Sequence, residues 1–200
     1  MDTIVIATNN AKKLYELRNI LDGLNIKAIS QSEAGIDIEV EETGSTFEEN
    51  ALLKAKAVCE ASGLPTVADD SGLEVSALNG EPGVLSARYA GVGAKDKERY
   101  NLLLNNMNGV PEGQRQAKFV CAIAFCMPKG NSFTVRGECD GEITFEPSGT
   151  GGFGYDPVFY VKEFGCTFAQ LKPEQKSSIS HRGKALRLFK ERLEKNIKDE

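Results

Sequence analysis

Apolar and polar positions alternate along this chain in periods that can be read as strands and helices. Residues 2–7 form an apolar, β-rich run that breaks at Thr8-Asn9-Asn10. Leu14, Leu17, Ile20 and Leu21 then recur at helical spacing and predict a helix with one buried face. Residues 25–30 read as a second short strand. Thr46 and Glu49 stand in the register of a capping box, and Phe47, Ala51, Ala55, Val58 and Cys59 line one face of the helix behind it. That helix is expected to stop at Gly63, with Pro65 just beyond. A short strand over 66–68 is expected to end at two adjacent aspartates, Asp69 and Asp70.

Further along, residues 95–107 are predicted helical, carrying Leu102, Leu103 and Leu104. Two β-rich runs, 117–127 and 132–139, flank Pro128-Lys129-Gly130-Asn131 and predict a hairpin. Residues 142–145 extend the sheet, and 147–157 is a Gly-rich loop. Ser180 is placed to cap a last helix with Ala185, Leu186, Phe189 and Leu193 inward. Helices and strands alternate early and strands pair later, which predicts an α/β protein with a mixed sheet.

Composition narrows the class. The 200 residues suit one domain or two closely joined lobes, and 40% hydrophobic with 26% charged residues is ordinary for a globular protein. No apolar run approaches the ~20 residues of a membrane span, and the N-terminus carries no basic leader. The cysteines, Cys59, Cys121, Cys126, Cys139 and Cys166, are odd in number and lack CxxC spacing. They are expected to be free thiols in a reducing cytoplasm. A net charge of -5 argues against broad nucleic-acid binding but leaves room for an anionic small ligand where cations gather locally.

Five stretches carry candidate chemistry. In VIATNNAKKLYE a polar loop opens a helix, so unpaired N–H groups, Thr8, Asn10 and Lys12 or Lys13 can meet phosphate, although no Walker A or GxGxxG pattern is present. Glu41-Glu42-Thr43-Gly44 precedes a helix carrying Lys54. VADDSG places carboxylates at a strand end, where Mg²⁺ is readily held with a water attached. EPSGTGGFGYDP mixes glycines, for close approach, with Phe153 and Tyr155, on which a base can stack. KSSISHRGKAL holds the sole histidine, His181, beside Arg182, with Lys176 upstream. Taken singly, each also reads as a capped helix start, a solvated loop or an ordinary turn.

Together with PGVLSARYAG, these motifs run nearly end to end, and the chain resembles the inosine triphosphate pyrophosphatase family of non-standard purine nucleoside triphosphate pyrophosphatases. The resemblance implies a single domain over 1–200, a two-lobed α/β fold with a long central mixed sheet flanked by helices and the active-site cleft between the lobes. It implies a cytoplasmic homodimer that hydrolyses XTP, ITP and dITP to the monophosphate and pyrophosphate with Mg²⁺, binding neither nucleic acid nor membrane. Asp70 is then the catalytic acid-base residue and, with Glu41 of the acidic pair, a metal ligand. Thr8, Asn9, Asn10, Ala11, Lys12 and Lys13 bind substrate, as does Ser71, with Lys54 and Arg88 as phosphate contacts. Phe153, Gly154, Tyr155 and Asp156 wrap the base, and Lys176, His181 and Arg182 complete the pocket. Asp69, pointing the other way along the strand, is expected to play a supporting part. Two rivals remain: a non-catalytic nucleotide sensor, and an enzyme acting on another triphosphate, such as a pyrimidine.

Overall fold

A computed structural model describes residues 2–198 of the chain. The first strand, β1 (Thr3–Ile6), lies parallel to β2 (Lys27–Ser30), with Ile4 opposite Ala28 and Ile6 opposite Ser30. On its other side β1 runs parallel to β3 (Thr66–Val75), Ile6 facing Val67. The sheet continues through β4 (Gln116–Cys126), β5 (Phe133–Ile143), β6 (Phe159–Val161) and β7 (Cys166–Thr167), in the order β2-β1-β3-β4-β5-β6-β7. β6 is antiparallel to both β5 and β7, so the sheet is mixed, as the sequence pattern predicts. The helices are α1 (Ala11–Asp22), α2 (Phe47–Ser62), α3 (Asp96–Asn106), α4 (Pro173–Ile179) and α5 (His181–Lys198).

The capping chemistry read from sequence is in place. Thr46 Oγ1 accepts the Glu49 N–H at 3.2 Å, and Glu49 Oε2 accepts the N–H of Ser45 at 2.7 Å and of Thr46 at 3.2 Å. Gly63 ends α2 in the left-handed region at φ 65 and returns its N–H to Cys59 O. Ser180 Oγ accepts the Gly183 N–H at 3.1 Å at the start of α5.

Two expectations are corrected. The strand expected to end at the aspartates runs on to Val75, because Leu73 and Val75 are fully buried and reward continuation of the extended backbone. Residues 132–139 and 142–145 belong largely to one strand, β5, that crosses Asp140-Gly141. A Cβ at Gly141 would stand 2.5 Å from the Phe159 ring and 2.6 Å from Tyr160 O, so glycine there lets β6 approach. The short elements β6, β7 and α4, and a 3-10 turn over Gly83–Arg88, lack a period long enough to read.

The chain divides into two compact units. One holds the residues up to Asp70, Cys121–Gly137 and those from Lys184 onward; the other holds Ser71–Val120 and Glu138–Gly183. The first has a core of Ile4, Ile6, Leu17, Leu21, Val67, Ile123, Phe125 and Phe189. The second is built on Leu73, Leu103, Met107, Phe119, Val158, Phe159 and Phe168, with the rings of Phe119, Phe159 and Phe168 packed at centroid distances of 4.5–5.6 Å. β3, β4, β5 and α5 contribute residues to both units.

Candidate active site

In the first unit the loop after β1 builds an anion-ready helix start. Asn10 is the N-cap of α1, its Oδ1 accepting the N–H of Lys12 at 3.0 Å and of Lys13 at 3.2 Å, while Thr8 Oγ1 accepts the Asn10 N–H at 3.2 Å. The first turn carries no acidic side chain, so the positive end of α1 is not offset locally. Asn9, Asn10, Ala11 and Lys12 are exposed. Lys13 is turned inward, its Nζ 2.8 Å from Oδ2 of the buried Asp69.

Asp70, the next residue on β3, meets a different lysine. Lys54 Nζ lies 2.7 Å from Glu42 Oε1 and 3.6 Å from Asp70 Oδ1. Burial raises the Asp70 carboxyl above its ordinary value; Lys54 pulls it down, Glu42 pushes it up, and Lys13 and the Asn50 side chain pull it down again. Burial works to lower the Lys54 ammonium, but the carboxylates of Asp70, Glu42 and Asp69 outweigh it and the pKa is raised. These groups form one coupled cluster of cations and acids.

The structure brings Glu42, rather than Glu41, to this cluster. Exposure alternates over residues 35–44, and Glu42 points inward to Lys54 while Glu41 is exposed. The loop is tied down by Asn50, a fully buried polar residue of α2 whose Oδ1 accepts the Gly44 N–H at 2.8 Å. A Cβ at Gly44 would sit 2.7 Å from that oxygen, so glycine permits the approach. The carboxylates of Glu42 and Asp70 both face one ammonium, and oxygen donors around a cation are what Mg²⁺ takes. Among the described residues no group of three or more acidic, His or Cys side chains is gathered for a metal. Two carboxylates fit Mg²⁺ in its usual manner, with phosphate oxygens and water in the other positions.

The second unit carries the remaining candidates. Arg182 Nη2 donates to Ser71 Oγ at 3.1 Å. His181, buried, stacks on Phe119 at a centroid distance of 4.8 Å and an interplanar angle of 14°. Lys176 pairs with the buried Asp156, whose Oδ2 also accepts the Phe153 N–H at 2.8 Å. The Lys176 ammonium stands 4.8 Å from the Phe153 ring centroid. Phe153 is 50% exposed, whereas Tyr155 is not available as a second platform. Its ring lies in the core and its hydroxyl donates to Ser86 O at 2.9 Å, because an apolar ring with one satisfied hydroxyl is better buried than wet. Arg88 is exposed at the end of the 83–88 turn.

A family model described as the Ham1 family matches residues 4–192 of this chain. The chain belongs to the Ham1 family. It is 50% identical over 193 residues to a protein of Geobacter sulfurreducens named dITP/XTP pyrophosphatase, covering 96% of this chain and 97% of that protein. A solved structure of the Staphylococcus aureus Ham1 protein superposes with a TM-score of 0.92 at 46% identity, covering 98% of this chain and all of that one. A HAM1 protein from Coxiella burnetii does so with a TM-score of 0.92 at 44% identity, again over 98% of this chain.

Within this Ham1 chain several residues of the site escaped sequence reasoning. Asn50 was visible as a polar residue on the apolar face of α2, three positions after Phe47. The pairing of Asp69 with Lys13 joins residues far apart in sequence and left no local signal. Ser86, whose Oγ accepts the Leu73 N–H at 2.9 Å and donates to Gly83 O at 2.6 Å, sits in a turn without period.

Proposed function

We propose that this chain hydrolyses non-standard purine nucleoside triphosphates, XTP, ITP and dITP, to the monophosphate and pyrophosphate. The observation that carries the reading is the coupled cluster in which buried Asp70 shares Lys54 with Glu42, beside a helix start free of acid. The pyrophosphatase names of relatives near half identical support the choice of reaction.

Lys13, Lys54 and the amides of α1 offset the phosphate charge in the first unit. Asp70 orients the attacking water and takes its proton on a carboxylate oxygen, a task suited by a pKa above that of an ordinary aspartate. Asp70 and an acid of the Glu41-Glu42 pair would hold Mg²⁺, which would supply Lewis acidity toward that water and the leaving pyrophosphate. In the second unit Phe153 offers a stacking face, and His181 and Arg182 offer donors to the 6-oxo group. Adenine presents an amino group there and would leave such donors unpaired, which discriminates strongly. A homodimer in the cytoplasm is part of the same proposal. The five free thiols suit the reducing cytoplasm.

The test is pyrophosphate release from ITP, XTP, dITP, dUTP, dTTP and ATP, with and without Mg²⁺. Release from the 6-oxopurine nucleotides, well above that from ATP and dependent on Mg²⁺, is expected. Preference for dUTP or dTTP would replace the purine reading, and release from none would make the chain a nucleotide sensor.

A further inference from the structure

The Gly-rich loop that presents Phe153 is held by a residue outside every motif used above. Asp96 is the first residue of α3 and is half-buried. Its Oδ2 accepts the Gly154 N–H at 2.6 Å. Its Oδ1 pairs with the Arg99 guanidinium one turn on, and Arg99 Nη1 donates to Ala87 O at 2.6 Å. An acid at a helix start ordinarily serves its own first-turn amides and dipole. Here one carboxylate oxygen leaves the helix for an amide 58 residues along the chain. The bond of the Tyr155 hydroxyl to Ser86 O ties the same loop to the 83–88 turn, which Arg99 also holds through Ala87 O.

The loop needs such a tether. Gly152 and Gly154 take φ values of 77 and 61, and Gly149 takes 85, so the backbone has wide freedom when nothing fixes it. Among those glycines stands Phe153, half exposed. A ring on an untethered glycine loop would have to be ordered when a base arrives, and that ordering costs affinity.

We propose that Asp96 is a positioning residue for nucleobase recognition: by fixing the Gly154 amide it holds Phe153 in the orientation that receives the 6-oxopurine. This rests on the function proposed above and adds a residue to it. Asp96 touches neither base nor phosphate, so its loss acts on substrate binding and leaves the chemical step intact.

The experiment compares wild type with D96S and D96N. Serine is well tolerated at a helix start but is too short to reach Gly154; asparagine keeps an oxygen acceptor at the original reach. For D96S the KM for ITP is expected to rise roughly tenfold, the worth of one charge-assisted hydrogen bond, with kcat within about twofold. D96N recovers most of that loss. Hydrogen–deuterium exchange of the segment 149–158, measured without substrate, is expected to quicken in D96S and to stay near wild type in D96N. Should D96S fail to fold, D96A is the second variant and is expected to behave in the same way. An unchanged KM, a fall in kcat alone, or faster exchange confined to α3 would reduce Asp96 to a helix-start residue and overturn the inference. If the wild type itself releases no pyrophosphate from ITP, the proposed function fails first and the inference with it, a result distinguishable because it precedes any variant.

Discussion

The Asp70 carboxyl sits in a place that disfavours its charge. Burial raises its pKa above the unfolded value of about 3.9. The stability such a group contributes is fully present below the unfolded pKa and is lost as pH rises through the folded one. Asp70→Asn cannot ionise, so it is expected to abolish turnover while its Tm at pH 7, without metal, equals or exceeds that of wild type. The difference should vanish below about pH 4, where both side chains are neutral. A variant that melts lower at pH 7, or that keeps wild-type turnover, would remove Asp70 from its role. Cys59 shows the same physics without a function. Burial pushes its thiol up to about 12, so it should react with a disulfide reagent at pH 8 only after unfolding.

At the scale of elements, α2 links sequence to site most directly. Its capping box fixes where the helix begins, and so where Asn50 and Lys54 point. Thr46→Ala removes the acceptor for the Glu49 N–H and is expected to cost about 1 kcal/mol by urea denaturation. A larger loss in kcat/KM than in stability would show that the cap also places Lys54. Helices α1, α2, α3 and α5 were legible because burial of one face imposes a spacing that can be counted, and β1, β4 and the first part of β5 as apolar β-rich runs. The site was legible where chemistry clusters in sequence, as at Asp70-Ser71 and His181-Arg182. It was illegible where topology does the joining. Lys13 finds Asp69, and Asp96 finds Gly154, across spans that no local pattern records. That Glu42, not Glu41, turns toward Lys54 follows from the alternating exposure of residues 35–44, which a pair of like residues cannot reveal.

For the whole molecule, the two cores are separate sets of residues, yet β3, β4 and β5 carry side chains of both. Phe189, fully buried against Phe125 and Phe133, belongs to the first core alone. Phe189→Ala is expected to destabilise by about 3–5 kcal/mol. Of the five tyrosines only Tyr15 lies in the first unit, so the near-UV tyrosine signal reports mainly on the second. With strands common to both, the near-UV and far-UV midpoints of the variant should fall together. Two separated transitions would show that each unit unfolds on its own.

The adjacent aspartates of β3 have a consequence for evolution and for engineering. Because neighbours on a strand face opposite sides, Asp69 meets the lysine of α1 and Asp70 the lysine of α2. The doublet therefore works as a phase marker. A slip or deletion of a single residue ahead of it would hand each lysine the wrong partner and turn Ser71 away from Arg182 in the same stroke. Insertions that lengthen the loop between α2 and β3 should be tolerated, whereas one extra residue within the strand before Asp69 should not.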